Sequence, residues 1–282
     1  MPKVLIIQEN GRHEGNRNFR ECFSLRRAFY HHGVSADVWG LGHKNYDQVP
    51  TWDDYDLIIN LENYDQTGWV PTLADSKAKK FLWSIDAHVK GLQPYLNTAA
   101  KGDYDLILQA TPEFVTSHNS VWFPNAYDDD LIVPPYLRIE PTHNVGFCGN
   151  VCNRGGLIDI MRKNCNMHFD EFVIGDSMVN AINSYKVHWN CNMSVDINYR
   201  NFETMGCNTF LITSNNKHYE TLGIKHEKNC MVYNNVEEMI EMTNHILKHD
   251  DFRMEMAAKG YELVKKRHTY KNRAQQILEE FL

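Results

Sequence analysis

Short, continuous apolar runs recur along the chain at residues 4–7, 34–39, 56–61, 80–85, 104–108 and 121–124. Runs of this kind are expected of strands covered on both faces, as in a parallel sheet. Between the first two, Phe19, Cys22, Phe23, Ala28 and Phe29 include helical spacings, and Gly33 stops the helix they predict near His32. This β-loop-α-β opening implies a parallel sheet with right-handed crossovers. Thr111, Pro112 and Glu113 predict a short helix with proline at its first position.

The same alternation restarts in the second half. Strands are expected at residues 143–148, at 172–174, from 185 into a polar loop, at 209–213 and at 230–233. Helices are expected from about Leu157 to Lys163 and from Asp250 to about Arg267. Another follows the Asn235/Glu238 capping arrangement, with Val236, Met239, Ile240, Thr243 and Leu247 on one face. A last helix places Tyr270, Ala274, Ile277, Leu278 and Phe281 on one side. Pro134-Pro135 favours an extended linker, and the boundary between domains is expected near 137–142. That divides the chain into 1–140, 141–267 and a closing helical segment, 268–282.

Two stretches of the second half carry candidate chemistry. The strand at 143–148 runs into Gly149, Asn150, Val151, Cys152, Asn153, Arg154, Gly155 and Gly156 and then a helix. Glycines permit close backbone approach and a helix N-terminus attracts an anion, so this is a phosphate cradle on physical grounds, or else a generic β–α turn. It is not a Walker loop, since no Gly-Lys-Ser/Thr ends it. Arg154 is the candidate for a diphosphate, because a guanidinium fork matches phosphate oxygens. The second stretch, residues 199–213, reads as a short helix, a glycine turn at Gly206 in the left-handed region, and a buried strand. Arg200 and Glu203 lie near the start of that helix, where a phosphate is favoured, although they also suit an i,i+3 ion pair. Ser194, Asp196 and Asn198 precede it and can cap it.

In the first half, Asp86 and His88 follow a buried strand, where open α/β sheets place ligands. Gly11, Arg12, His13 and Glu14 occupy the polar loop after the first strand, as site residues or as a solvated loop. That loop lacks the G-x-G-x-x-G pattern, which disfavours a nicotinamide oxidoreductase. Composition narrows the class further. At 282 residues, 43% hydrophobic and 23% charged, the chain is that of a globular protein of one large or two ordinary domains. No apolar run approaches the roughly 20 residues that span a bilayer, and residues 4–7 read as a first strand rather than a signal peptide. A net charge of −7 counts against broad nucleic-acid binding without excluding a local basic groove. The seven cysteines form no C-x-x-C pair, so reduced thiols in a cytoplasm are expected, and no metal.

The run Arg-x-Phe-Glu-x-Met-Gly at 200–206, followed by an apolar strand, resembles the sugar-nucleotide segment of group 1 (family 4-like) glycosyltransferases, closest to the spore-maturation (CgeB-like) branch. Phe147-x-Gly149-Asn150 with Arg154 resembles the start of the nucleotide-binding domain of that family. Trp83-x-x-Asp86-x-His88 and Asn125-Ala126-Tyr127-Asp128 resemble shorter signatures of its first half, with Ala126 in place of the usual glycine. The resemblance implies two Rossmann-like α/β domains facing across a cleft, the GT-B arrangement, with the last helix crossing back to the first domain. It puts Glu203 on the ribose hydroxyls of the donor nucleotide and the loop after strand 172–174, at Gly175 and Asp176, beside the nucleobase. The second acidic position often found eight residues earlier is Val195 here, with Asp196 next to it.

The expected activity is metal-independent transfer of a sugar from a nucleoside-diphosphate sugar, a UDP-sugar foremost, to a hydroxyl acceptor. No further cofactor is expected. Gly149, Asn150, Arg154, Ser194, Asp196, Asn198, Arg200 and Glu203 would hold the donor, with Asp86, His88, His13 and Glu14 as catalytic contacts and Gly11 and Arg12 on the acceptor side. The resembled group is mostly retaining; inversion would need a base, for which His88, His13 or Glu14 can serve. The acceptor stays open among glycan, protein, small molecule and a hydroxylated base of viral DNA, in the last case within a host cytoplasm. A non-catalytic sugar-nucleotide-binding module is the alternative of a different class.

Overall fold

The computed structural model describes residues 2–62, 68–116, 119–137 and 140–282. The boundary region expected at 137–142 overlaps residues 138–139, which lie outside these. In chain order the elements are β1 (Lys3–Ile7), α1 (Glu21–His31), β2 (Ser35–Trp39), β3 (Leu57–Leu61), β4 (Lys79–Ser84), α2 (Ala87–Lys90), α3 (Gln93–Gly102), β5 (Leu106–Gln109) and β6 (Ser120–Trp122). There follow β7 (His143–Gly149), α4 (Gly155–Cys165), β8 (His168–Glu171), α5 (Asp176–Asn183), β9 (Tyr185–Asn190), α6 (Tyr199–Gly206), β10 (Phe210–Ser214), α7 (Tyr219–Leu222) and β11 (Met231–Tyr233). Helices α8 (Val236–Ile246), α9 (Asp250–Arg267) and α10 (Tyr270–Gln276) follow, and a π-helical turn over Ile277–Phe281 ends the chain. Among the described residues, no helix is long and apolar enough to cross a membrane.

The chain divides into two compact units, Met1–Asn125 with Tyr270–Leu282, and Ala126–Thr269. The division falls within the Asn125-Ala126 turn rather than after the double proline. The reason is local to the second unit: Tyr127 is 1% exposed and bridges Thr269, so the segment after Asn125 pairs with the end of that unit. In the first unit, α10 packs on α1, and Arg273 donates to the carbonyls of Pro124 (2.7 Å) and Asn125 (3.3 Å).

Each unit is built on a wholly parallel sheet. The first has six strands in the order β2-β1-β3-β4-β5-β6, the second five in the order β11-β10-β9-β7-β8. The apolar runs of β1 and β3 are buried on both faces, as parallel strands between helix layers must be. In the second unit Val145, Phe147, Val187, Trp189, Phe210 and Ile212 from three strands meet Ile158 and Met161 of α4 and Met239 of α8. In both sheets the strand order reverses beside the first strand of the unit. It does so between β1 and β3 in one and between β7 and β9 in the other, the places where open α/β sheets open a crevice beyond their carboxyl ends.

Two expectations are corrected. The strand expected at 172–174 lies earlier, at His168–Glu171, as an edge strand with half-exposed side chains; Phe172 itself is 54% exposed at φ +57° and belongs to the turn after it. Its polar composition hid β8 from a reading based on apolar runs. Gly206 is the last residue of α6 rather than a left-handed cap; Asn208 takes the left-handed position at φ +55°. A Cβ at Gly206 would lie 2.4 Å from the Tyr127 ring, so glycine is needed there for close packing. Gly206→Ala is therefore expected to lose about 1–3 kcal/mol in urea unfolding. Gly156→Ala, where a Cβ meets nothing within 4 Å, should be neutral or gain up to about 1 kcal/mol.

Candidate active site

In the second unit the expected donor residues gather at the β7/β9 reversal. The β7 strand delivers Cys148 and Gly149, and β9 delivers Asn190, with Cys191 directly after it. Two arginines stitch these ends together. Arg154, 8% exposed at the N-cap of α4, donates from Nε to the Cys191 carbonyl (2.8 Å) and from Nη1 to the Asn150 carbonyl (3.1 Å). Arg200, in the first turn of α6, donates from Nε to the Cys148 carbonyl (3.0 Å) and from Nη1 to Glu203 Oε2. Gly149 takes φ +153°, and a Cβ there would approach the Phe147 ring to 3.2 Å and Arg200 Nε to 3.9 Å. The positive φ and the close approach to the Phe147 ring are what favour glycine here.

The Arg200–Glu203 pair is not a solvated surface bridge. Its side chains are 20% and 12% exposed. Burial opposes the Arg200 charge, and the adjacent Glu203 carboxylate outweighs it, so the guanidinium stays charged. The i,i+3 pairing that the spacing allowed is present, and it presents a recessed carboxylate beside the glycine loop.

The loop between β9 and α6 is fixed by a buried cluster of amides. Asn201 is fully buried; it donates to Asn192 Oδ1 (2.8 Å) and accepts from Thr213 (2.9 Å), Tyr219 (3.0 Å) and Asn190 (3.2 Å). Asn198 is the N-cap of α6, but its side chain donates back to Asn190 Oδ1 and the Cys191 carbonyl, both at 3.3 Å, rather than accepting from the helix. Asp196 is buried in this loop, with its carbonyl taken by Asn216 (3.3 Å), while Ser194 is exposed in the left-handed region at φ +56°. Asn150 is exposed and caps its own turn, its Oδ1 accepting from Cys152 N–H. Asn190, Asn192, Asn201, Thr213 and Tyr219 escaped the sequence reading. The crowding of asparagines at 190, 192, 198 and 201 was the available signal.

Beneath the site, fully buried His188 reaches Thr204 of α6 through Nδ1 and accepts from Cys148 N–H at 3.4 Å through Nε2. Burial, helped by Arg200, lowers its pKa to about 3. Cys148 is pushed up to about 11 by burial and remains a thiol. All seven cysteines are free, and among the described residues no three His, Cys, Asp or Glu side chains converge to hold a metal ion.

In the first unit the candidates fall on two loops. Gly11 (φ +66°) follows β1; Arg12 and His13 are exposed, and Glu14 opens a 3-10 turn and pairs with Arg17 at 3.3 Å while 87% exposed. Asp86 and His88 follow β4, on the far side of β3 in the strand order. Asp86 is the N-cap of α2, and burial, reinforced by Glu62 and opposed by Lys90, raises its pKa to about 6. His88 is half-buried, and burial lowers its pKa against the opposing pull of Glu62.

Two units built on parallel sheets of this kind match the GT-B fold of known structures. The chain superposes on an alpha-glucosyltransferase in complex with UDP and a 13-mer DNA at a TM-score of 0.72 and 11% identity, covering 99% of both chains. It superposes on Anabaena HepE in complex with UDP and glucose at 0.64 and 11%, again over 99% of both. Sucrose-phosphate synthase from Thermosynechococcus elongatus gives 0.62 and 10% over 99% of this chain and 98% of the other. No curated protein matches the sequence. The family described as glycosyl transferase-like matches residues 139–279, half of the chain, and the chain belongs to it. It is a glycosyltransferase.

His188 makes stability depend on pH in a defined direction. Its folded pKa of about 3 lies below the 6.5 of a free imidazole, so the unfolded chain binds the extra proton between these values. Stability is present above pH 6.5 and falls on acidification, by up to about 1.4 kcal/mol per pH unit. Urea melts from pH 7 to pH 5 should show this loss, and His188→Gln should remove one proton's worth of the slope.

Proposed function

We propose that the chain transfers a sugar from a UDP-sugar to a hydroxyl acceptor, with retention and without a metal ion. The observation that carries the reading is the Arg200–Glu203 pair recessed beside Gly149, with Arg154 across the same strand reversal. Both arginines are held through Nε and Nη1 by their own unit, which leaves Nη2 of each for an anion. Fixed donors aimed where charge develops need no reorganisation when the bond breaks.

In this reading Glu203 accepts from the ribose diol, and Arg154 and Arg200 take the diphosphate. The bond between the sugar's anomeric carbon and the phosphate oxygen breaks, and its electron pair stays on the departing diphosphate. The acceptor hydroxyl oxygen bonds to that carbon, and its proton passes to the diphosphate. Asp86 and His88 contact the sugar or acceptor hydroxyls, with Arg12, His13 and Glu14 nearer the acceptor. Ionised above about pH 6, Asp86 accepts a hydrogen bond from a hydroxyl; His88, held largely neutral, can accept or donate one. UDP bound by the alpha-glucosyltransferase and HepE supports the choice of nucleotide, and the Arg-x-Phe-Glu-x-Met-Gly run supports the CgeB-like branch.

Glu203→Gln keeps the shape of the side chain and removes its charge. Calorimetry with UDP-glucose should show affinity falling ~10- to 100-fold, as for a lost hydrogen bond to a charged group. Unchanged affinity in a folded variant would contradict the placement.

A further inference from the structure

The sequence reading passed over Glu62. It directly follows β3, at the β1/β3 reversal of the first unit, and its side chain is 5% exposed. Its Oε2 accepts from the N–H groups of both Ile85 and Asp86, each at 2.7 Å, and its Oε1 from Lys90 Nζ at 2.5 Å. Two backbone donors and an ammonium on one buried carboxylate are enough to fix the turn that leaves β4 and begins α2. Gln8, at the end of β1, completes the frame. Its Nε2 donates to the Glu62 carbonyl (3.1 Å) and to Glu21 Oε2 (3.0 Å), and its Oε1 accepts from Cys22 N–H (3.0 Å).

We propose that Glu62 is the positioning residue for the candidate contacts Asp86 and His88 of the first unit. Its carboxylate holds the Asp86–His88 turn in place and, with Lys90, sets the electrostatic environment in which Asp86 meets a hydroxyl. The inference rests on the reading above that Asp86 and His88 are the sugar or acceptor contacts. Its own content is that Glu62 acts through Asp86 without touching substrate.

The charges around Asp86 support this. Burial raises its pKa first, Glu62 raises it further, Lys90 of α2 lowers it, and Glu21 of α1 adds a smaller rise. From α3, Tyr95 faces the same two carboxylates, and burial with Glu62 pushes its phenol far above the ordinary range. His88 is the remaining titratable group of the turn, and Glu62 favours its protonation against burial. Glu62 and Lys90 therefore pull Asp86 in opposite directions. The result, about 6, leaves Asp86 ionised at neutral pH, able to accept a hydrogen bond from a hydroxyl.

The test reads Asp86 directly in the ligand-free full chain, by carbon NMR of 13Cγ-labelled aspartate with Asp86→Asn to assign the signal. Glu62→Gln should lower the Asp86 midpoint by about one unit, and Lys90→Gln, which leaves both backbone bonds to Glu62 in place, should raise it. This opposition of sign is not the mark of a residue that merely stabilises the fold. If Glu62→Gln does not fold, Lys90→Gln alone decides. A midpoint that fails to rise in Lys90→Gln, or fails to fall in a folded Glu62→Gln, overturns the proposal. UDP affinity by calorimetry should be unchanged in both variants, since the nucleotide residues lie in the other unit. An Asp86→Asn variant that hydrolyses UDP-glucose at the parental rate would overturn the role of Asp86 while leaving the midpoint shifts standing, so the two failures are told apart.

Discussion

Two guanidinium groups close the gap between β7 and β9, and the candidate donor site depends on them. The reversal of strand order leaves the carboxyl ends of two adjacent parallel strands with loops that run apart to different helices. Arg200 reaches from α6 back to the Cys148 carbonyl, and Arg154 reaches from α4 across to the Cys191 carbonyl. Each arginine thus ties the helix it belongs to onto the neighbouring strand's loop. A buried charge is costly unless paired and hydrogen-bonded. Glu203 meets that requirement for Arg200, and carbonyl oxygens help to meet it for Arg154. The geometry is set before any ligand arrives, which is the condition under which fixed charges assist a reaction most.

The rest of the second unit supports this stitch. The buried amide cluster around Asn201 has its hydrogen bonds largely made within itself, which fixes the loop from Cys191 to Asn198 and hence the start of α6. His188 sits under the same junction as a neutral ring joining β7 to α6. The first unit solves the equivalent problem with a carboxylate rather than an arginine. There Gln8 and Glu62 link the ends of β1, β3 and β4 through backbone N–H and carbonyl groups. In both units the polar residues at a strand end are engaged with backbone, so they hold shape as well as chemistry.

Much of this was legible in the sequence, and the limits have physical causes. Buried parallel strands are apolar without alternation, so β1, β3 and β10 stood out as runs; the edge strand β8 is polar and did not. The glycine-bearing β–α loop at 149–156 and the Arg200–Glu203 helix were readable because glycine freedom and helix ends have local signatures. Gly206 was misread because a glycine closing a helix suggests a left-handed cap, whereas its reason is the Tyr127 ring, distant in sequence. Glu62 was missed although it satisfies the criterion that selected Asp86, a carboxylate directly after a buried strand. What the sequence could not show was that its partners are the backbone of Ile85 and Asp86.

The most direct measurement of the central claim is a crystal structure with UDP bound. The account predicts the diphosphate against Arg154 and Arg200 at the ends of β7 and β9, with the ribose hydroxyls on Glu203. A nucleotide bound elsewhere on the second unit, with the Arg200–Glu203 pair untouched, would contradict it.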